Sequence, residues 1–233
     1  RKRKRFDMMV GNWLLALSWD CTFAIEHVYG HHKNVGYDDD PATASRNESL
    51  YLFILRGTIK AHMDAWKIEI ERLRRISKFP FTFSNKMIKG YLRSLAIYIA
   101  AYCVGGIPGL LIFVFWSVLA KVYLETINFV EHYGLVREVG QPVLPKHSWN
   151  SNHIISSSLL YNLNRHSAHH EKANLRYWEL EAYPDAPTLP QGYLACLYLA
   201  FLFPPLFKRI MKPHLKKWDE TYASEGERKI LGY

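Results

Sequence analysis

The chain has little cysteine. Its 233 residues hold only Cys21, Cys103 and Cys196, each inside an apolar stretch and no two forming a CxxC pair. That excludes a disulfide framework, a zinc ribbon and a rubredoxin-like iron centre, so any electrons the protein uses arrive from elsewhere. A Gly-rich phosphate loop, an ordered Ser-His-Asp set and an internal repeat are also absent. The net charge of +9 would suit nucleic acid, but there is no Arg-rich reading helix and no aromatic RNA-binding motif. One long stretch lacks charge altogether, from Arg93 to Lys121. The basic residues gather instead at 1–5, 72–78, 86–93 and 208–217, on the flanks of apolar runs, which is the positive-inside pattern of a membrane protein.

What the chain does have is clustered histidine. Leu160 to His170, LYNLNRHSAHH, puts His166, His169 and His170 at i, i+3 and i+4, so a helix presents them within one turn. Glu26 to His32, EHVYGHH, puts His27 and His31 four apart on one helical face, with His32 turned about 100° aside. Asn128 to Leu135, NFVEHYGL, adds His132. A lone histidine is usually a satisfied core group or a helix end. Two such clusters would strand ring nitrogens without partners unless a cation or a set of carboxylates met them. The pattern implies a metal site beside apolar segments, at a membrane surface.

Taken in order, residues 8–25 read as a helix in or just below the membrane face, Asp20 arguing against a clean span. Residues 33–49 form an aqueous loop whose Asp38, Asp39 and Asp40 serve as turn formers and a cap, or as partners for imidazoles. Residues 50–75 are an amphipathic surface helix with cationic last turns, and FPFTFSNK is a linker. Tyr91–Val104 and Ile107–Ile127, separated by Gly105, Gly106, Pro108 and Gly109, read as a hairpin of two spans with both ends cytoplasmic. Its second leg delivers Asn128, Glu131 and His132. Glu131 and Glu26 either orient nearby imidazoles or are ordinary interfacial acids. A polar turn at 146–153 leads into a helix at 154–163. His153 is a candidate hydrogen-bond donor to groups around the site, His147 and His62 are structural, and His214 is surface. Residues 183–193 are irregular, 194–207 interfacial, and the tail charged and cytoplasmic. The expected architecture is one all-α, polytopic membrane domain over 1–233, with its histidine-rich site at the cytoplasmic face.

At these motifs the sequence resembles the integral-membrane non-haem di-iron monooxygenases, the alkane hydroxylase and xylene monooxygenase group within the membrane desaturase-like superfamily. EHVYGHH resembles the second histidine box, NFVEHYGL the HYG box and LNRHSAHH the last box; HSWNSNHI and APTLPQGY also look like family segments. The resemblance implies two iron ions held by His27, His31, His32, His132, His166, His169 and His170, with Glu26, Asn128, Glu131 and His153 around them. It implies hydroxylation of a terminal or benzylic methyl C–H of an apolar hydrocarbon by O2, with electrons from a rubredoxin or ferredoxin-type partner and its reductase. It implies a multi-pass protein, in a bacterial inner membrane, whose site faces the cytoplasm and which meets lipid but no nucleic acid. The family's first box, HExxH, is not in the chain. RKRKR resembles the basic segment after that box, so an N-terminal portion with two further ligands is expected upstream and the chain as given is expected to be incomplete as an enzyme. The alkane branch usually has Tyr where Phe129 stands, and Gln and Asp where Asn164 and Ala168 stand. IEIERLRR and WDETYASEGER look closer to the xylene branch. Imidazole suits iron, and mostly neutral ligands leave the cations uncompensated, which favours a strong oxidant. The rivals are an acyl-lipid desaturase or fatty-acid hydroxylase, separated by its product, and a zinc-binding membrane receptor or transporter, separated by its metal.

Overall fold

The computed structural model describes residues 5–172 and 175–233; residues 1–4 of the basic opening run lie outside them. Among the described residues the chain is all-α, with one isolated bridge between Asn150 and Thr188. The helices are α1 (Arg5–Leu17), α2 (Phe23–Glu26), a π-helix (His27–His31), α3 (His32–Asn34), α4 (Leu50–Arg75), α5 (Lys86–His132), α6 (Ile154–Leu159), α7 (His166–Glu171), α8 (Tyr193–Leu202), α9 (Pro204–Thr221) and α10 (Glu225–Ile230), with 3-10 turns at Pro145–His147 and Tyr177–Glu179. They cluster into two compact units. One comprises the segment up to His31 and Thr58–Leu124, the other His32–Gly57 and Glu125–Tyr233.

In the first unit the long apolar α5 reverses direction. Gly106 takes φ 59° and ψ −152°, a region essentially closed to side chains, and the two legs fold back on each other. Tyr98 and Phe113 stack edge-on at 5.1 Å, where a straight helix would hold them ~22 Å apart. A Cβ on Gly109 would sit 2.9 Å from the Ala101 carbonyl oxygen. The expected hairpin with its glycine turn is therefore present. Its surface is apolar and exposed, with Val104 at 91% and Leu111, Phe115 and Trp116 near 60%. α5 is also the one helix among the described residues long and apolar enough to cross a membrane.

Residues 8–25 do not form the single helix expected. α1 ends at Leu17, whose carbonyl accepts from Ser117 Oγ at 2.8 Å, and Trp19 turns the chain with φ 55°. The break serves Asp20. This carboxylate is 2% exposed, accepts from Thr22 Oγ1 at 2.6 Å and lies 3.3 Å from Lys121 Nζ. A continuous helix would leave a buried carboxylate without a counter-ion, at a cost of several kcal/mol or more. Cys21, Ile25, Ala65 and Met87 close a small core against Trp66, Ile68 and Tyr91. His62, read as structural, meets Tyr91 Oη at 2.6 Å.

The second unit has an aromatic core. Phe129 packs on Phe53 at 5.4 Å, Tyr133 at 5.0 Å and Phe207 at 5.8 Å. The buried Arg137 guanidinium donates to the carbonyls of Lys33, Val35 and Gln141, fixing the loop that begins at His32. Asp40 acts as a turn former, accepting from Thr43 Oγ1 at 2.6 Å. Within residues 194–207, α8 buries Cys196, Leu197 and Ala200 while Tyr198 and Leu202 stay exposed. The charged tail is anchored in this unit. Trp218 is fully buried, and Asp219 takes a bidentate contact from Arg46 at 2.8 and 2.5 Å. The apolar side of α9, the Trp218 indole donor and the Asp219 acceptor need partners that the rest of the unit supplies.

Gly106→Ala is expected to lower stability by about 1–3 kcal/mol through backbone strain. Gly105→Ala, whose added Cβ meets open space, should change it by less than about 0.5 kcal/mol. Thermal midpoints in detergent measure both, and equal midpoints would contradict the Gly106 turn.

Candidate metal centre

Three histidines of the second unit meet at one point. His132, the last residue of α5, is 1% exposed, His166 3% and His170 6%. Their ring nitrogens fall within 4.8 Å of one another, His166 Nε2 lying 3.1 Å from His132 Nε2 and 2.8 Å from His170 Nε2. The outer nitrogens fix the protons. His132 Nδ1 lies 3.3 Å from the His147 carbonyl, which can only accept. His166 Nδ1 lies 3.2 Å from Glu131 Oε1. A proton on Nδ1 in both rings would leave both Nε2 atoms pointing lone pairs into the same space, an arrangement a cation satisfies. Separations near 3 Å also match neighbouring ligands on a metal at ~2.1 Å. The donor set therefore fits a metal ion.

α7 is held in register from outside. Its start at Arg165 has no side-chain cap. Instead Asn150 Oδ1 accepts from the Ser167 amide at 2.9 Å, and Asn150 Nδ2 donates to Ser167 Oγ at 2.6 Å, supplying a first-turn partner the local sequence lacks. Asn164, also buried, donates to the Ser151 carbonyl and to Ser157 Oγ.

The HxxHH face divides. Residues three and four further along a helix lie about 60° to one side and 40° to the other, so His170 joins His166 while His169 turns away. His169 approaches His32, ring centroids 4.8 Å apart, with ring nitrogens within the 4.8 Å of a second group. Both are half-buried, and His32 also lies 4.7 Å from the His170 ring. His32, expected to be turned aside, thus has a counterpart.

Within the first unit, His27 and His31 are joined by a π-helix rather than an α-turn, their rings 5.1 Å apart. Gly30 allows this turn to close over the buried Glu26, since a Cβ there would come 2.5 Å from Glu26 Oε1. Of the other residues expected nearby, Glu131 reaches His166 rather than the adjacent His132 and accepts from Tyr193 Oη at 2.8 Å. Asn128 donates to Glu125 at 3.2 Å. His153 is exposed at the start of α6.

Sequence reasoning missed two contributors. Tyr193 steadies Glu131. His147, read as only structural, lends its carbonyl to His132, and its ring meets Glu227 Oε1 at 2.8 Å. Burial lowers the His147 pKa, partly offset by that carboxylate. Burial pushes Glu227 up, but hydrogen bonds from His147, Lys146 and the Ser224 amide outweigh it and hold its pKa at about 2.

A helical chain that buries converging imidazoles tied from behind by a carbonyl and a carboxylate carries a side-chain set that could hold a metal ion. The family model described as fatty acid desaturase matches residues 1–200, and the chain belongs to that family. It is 37% identical over 224 residues to alkane 1-monooxygenase 2 of Alcanivorax borkumensis, covering 92% of this chain and 58% of that protein. It is 36% identical over 229 residues to alkane 1-monooxygenase 2 of Pseudomonas aeruginosa, covering 96% and 60%. To the xylene/toluene monooxygenase hydroxylase component XylM of Pseudomonas putida it is 36% identical over 208 residues, covering 88% and 56%. The chain thus spans roughly three-fifths of the length of these curated relatives.

His166→Ala removes the ring that both neighbours face and should weaken metal affinity by at least ~10–100-fold, the range that loss of even an outer partner produces. His153→Ala should leave it unchanged. Metal titration with elemental analysis decides; full occupancy in His166→Ala would refute the centre.

Proposed function

We propose that the chain forms the metal-binding part of a membrane di-iron monooxygenase that hydroxylates a methyl C–H of an apolar hydrocarbon. The observation that carries the reading is the convergence of His132, His166 and His170 on one point, in a chain similar to proteins named alkane 1-monooxygenase and XylM. Under this reading His27, His31, His32 and His169 complete the ligand set for two iron ions. Iron held there would supply the redox couple through which dioxygen is reduced while a C–H bond is attacked. The overall change is RH + O2 + 2 electrons + 2 protons to ROH + water.

The chain's own residues set the conditions for that change. Neutral imidazoles leave the cation's charge uncompensated, which favours the reduced state and makes the oxidised one a strong oxidant. Glu131 is the exception, its charge standing behind His166 rather than on the metal. The apolar hairpin gives a bilayer-dissolved hydrocarbon a dry approach. In this topology both α5 legs cross the bacterial inner membrane, the Gly105–Gly109 turn lies outside and the histidines face the cytoplasm, the backbone being satisfied within each helix as lipid requires. A rubredoxin or ferredoxin-type partner, with its reductase, delivers electrons to the basic cytoplasmic surface. The family model's description favours a second reading, desaturation of an acyl chain. Product analysis with O2 separates them, because the first requires an alcohol from a hydrocarbon and the second a double bond in an acyl chain.

Two measurements test the arrangement. Gly105→Cys in a Cys103→Ser background should react with an impermeant thiol reagent added outside the cell; reaction from the cytoplasmic side alone would contradict the topology. Lys216 and Lys217 are exposed on α9, and small electron carriers are commonly acidic. Reversing both to Glu should weaken the apparent affinity for the carrier several-fold and flatten its salt dependence. If affinity and salt dependence do not move, docking lies elsewhere.

A further inference from the structure

The 3-10 turn whose carbonyl faces His132 is fastened on its far side by the C-terminal helix. We propose that Glu227 is a positioning residue for the metal centre, acting on His132 through the main chain of His147. The proposal rests on the metal-centre reading above.

The chain of contacts is continuous and lies within one unit. The Leu144 amide donates to His147 Nδ1 at 3.0 Å, so the ring proton sits on Nε2 and is donated to Glu227 Oε1 at 2.8 Å. That fixes one tautomer and one orientation. The other carboxylate oxygen takes Lys146 Nζ at 2.5 Å and the Ser224 amide at 2.7 Å. Trp218 Nε1 donates to the Lys146 carbonyl at 2.7 Å. The turn is thereby held at the Leu144 amide, both side chains and the Lys146 carbonyl. The group it turns inward is the His147 carbonyl, 3.3 Å from His132 Nδ1.

Position alone argues for more than scaffolding. Glu227 and His147 are 1% and 0% exposed. A buried charged pair adds little to stability that apolar side chains of similar volume would not match. What a fully satisfied polar network does supply is a unique orientation. Here the oriented object is the acceptor that keeps the proton on the outer nitrogen of His132 and aims its Nε2 lone pair inward. α10 is itself fixed for this purpose by a capping box, in which Ser224 Oγ accepts from the Glu227 amide at 3.1 Å. A strut from the last helix thus reaches a ligand on the hairpin leg 95 residues earlier in sequence.

The test uses the full-length protein in detergent, loaded anaerobically with Fe(II), and with Co(II) as a spectroscopic probe. Glu227→Gln should bind both metals ~10–100-fold more weakly and shift the Co(II) visible bands, with the helix content of the metal-free protein preserved. Glu227→Asp, which keeps the charge, should recover part of the affinity. Wild-type affinity and an unshifted Co(II) spectrum in Glu227→Gln would overturn the proposal. A wild-type protein that binds neither metal would overturn the metal-centre reading and this inference with it. Should Glu227→Gln fail to fold, hydrogen exchange on the wild-type protein decides. Co(II) loading should slow the amides of 225–230 together with those of 166–170, and slowing at 166–170 alone would overturn the strut.

Discussion

Imidazole nitrogens packed at 3 Å need a proton or a cation between them. The Nε2 atoms of His132 and His170 stand 3.1 and 2.8 Å from that of His166, and the surrounding second unit holds them there. Each outer nitrogen accounted for by a contact is met by a group that accepts: the His147 carbonyl behind His132 and the Glu131 carboxylate behind His166. Those acceptors are held in turn, Glu131 by Tyr193 and the 145–147 turn by Glu227 and Trp218. Phe53, Phe129, Tyr133 and Phe207 pack together in the same unit.

The first unit answers a different solvent. Its hairpin exposes aliphatic and aromatic side chains that water would disfavour, and satisfies its backbone within each leg. Where a charge does enter, at Asp20, the helix breaks to bring Thr22 and Lys121 to it. The second unit adds a polar network around its histidines to an aromatic core, and the first adds an apolar exposed hairpin to its own few polar contacts.

Much of this was legible in the sequence because it is local. The hairpin follows from a charge-free run and four turn residues within five positions, and the histidine groups follow from spacing. The amphipathic 50–75 helix follows from its period. What was not legible depends on tertiary partners. The divergence of His169 from His166 and His170 needs His32, a residue more than a hundred positions away, to be present at the right place. The ends of α1 and α6 are set by Asp20 and by the positive φ at Tyr161 and Asn162, not by periodicity. Glu227 sits in what reads as a polar tail, and nothing nearby in sequence marks it as the partner of His147. His153, close in sequence to the site, is exposed in the fold, which its spacing does not announce.

The π-helix at His27–His31 has a meaning in the history of the chain. Such a turn arises when one residue is inserted into an α-helix that stays otherwise intact, and it persists at functional sites despite its poorer hydrogen bonding. Within EHVYGHH this makes length a more stringent constraint than composition. Val28 and Tyr29 can be exchanged for other residues while the two imidazoles keep their facing. Loss of either would change the spacing of His27 and His31 from four residues to three. The motif thus tolerates a change of side chain more readily than a change of length.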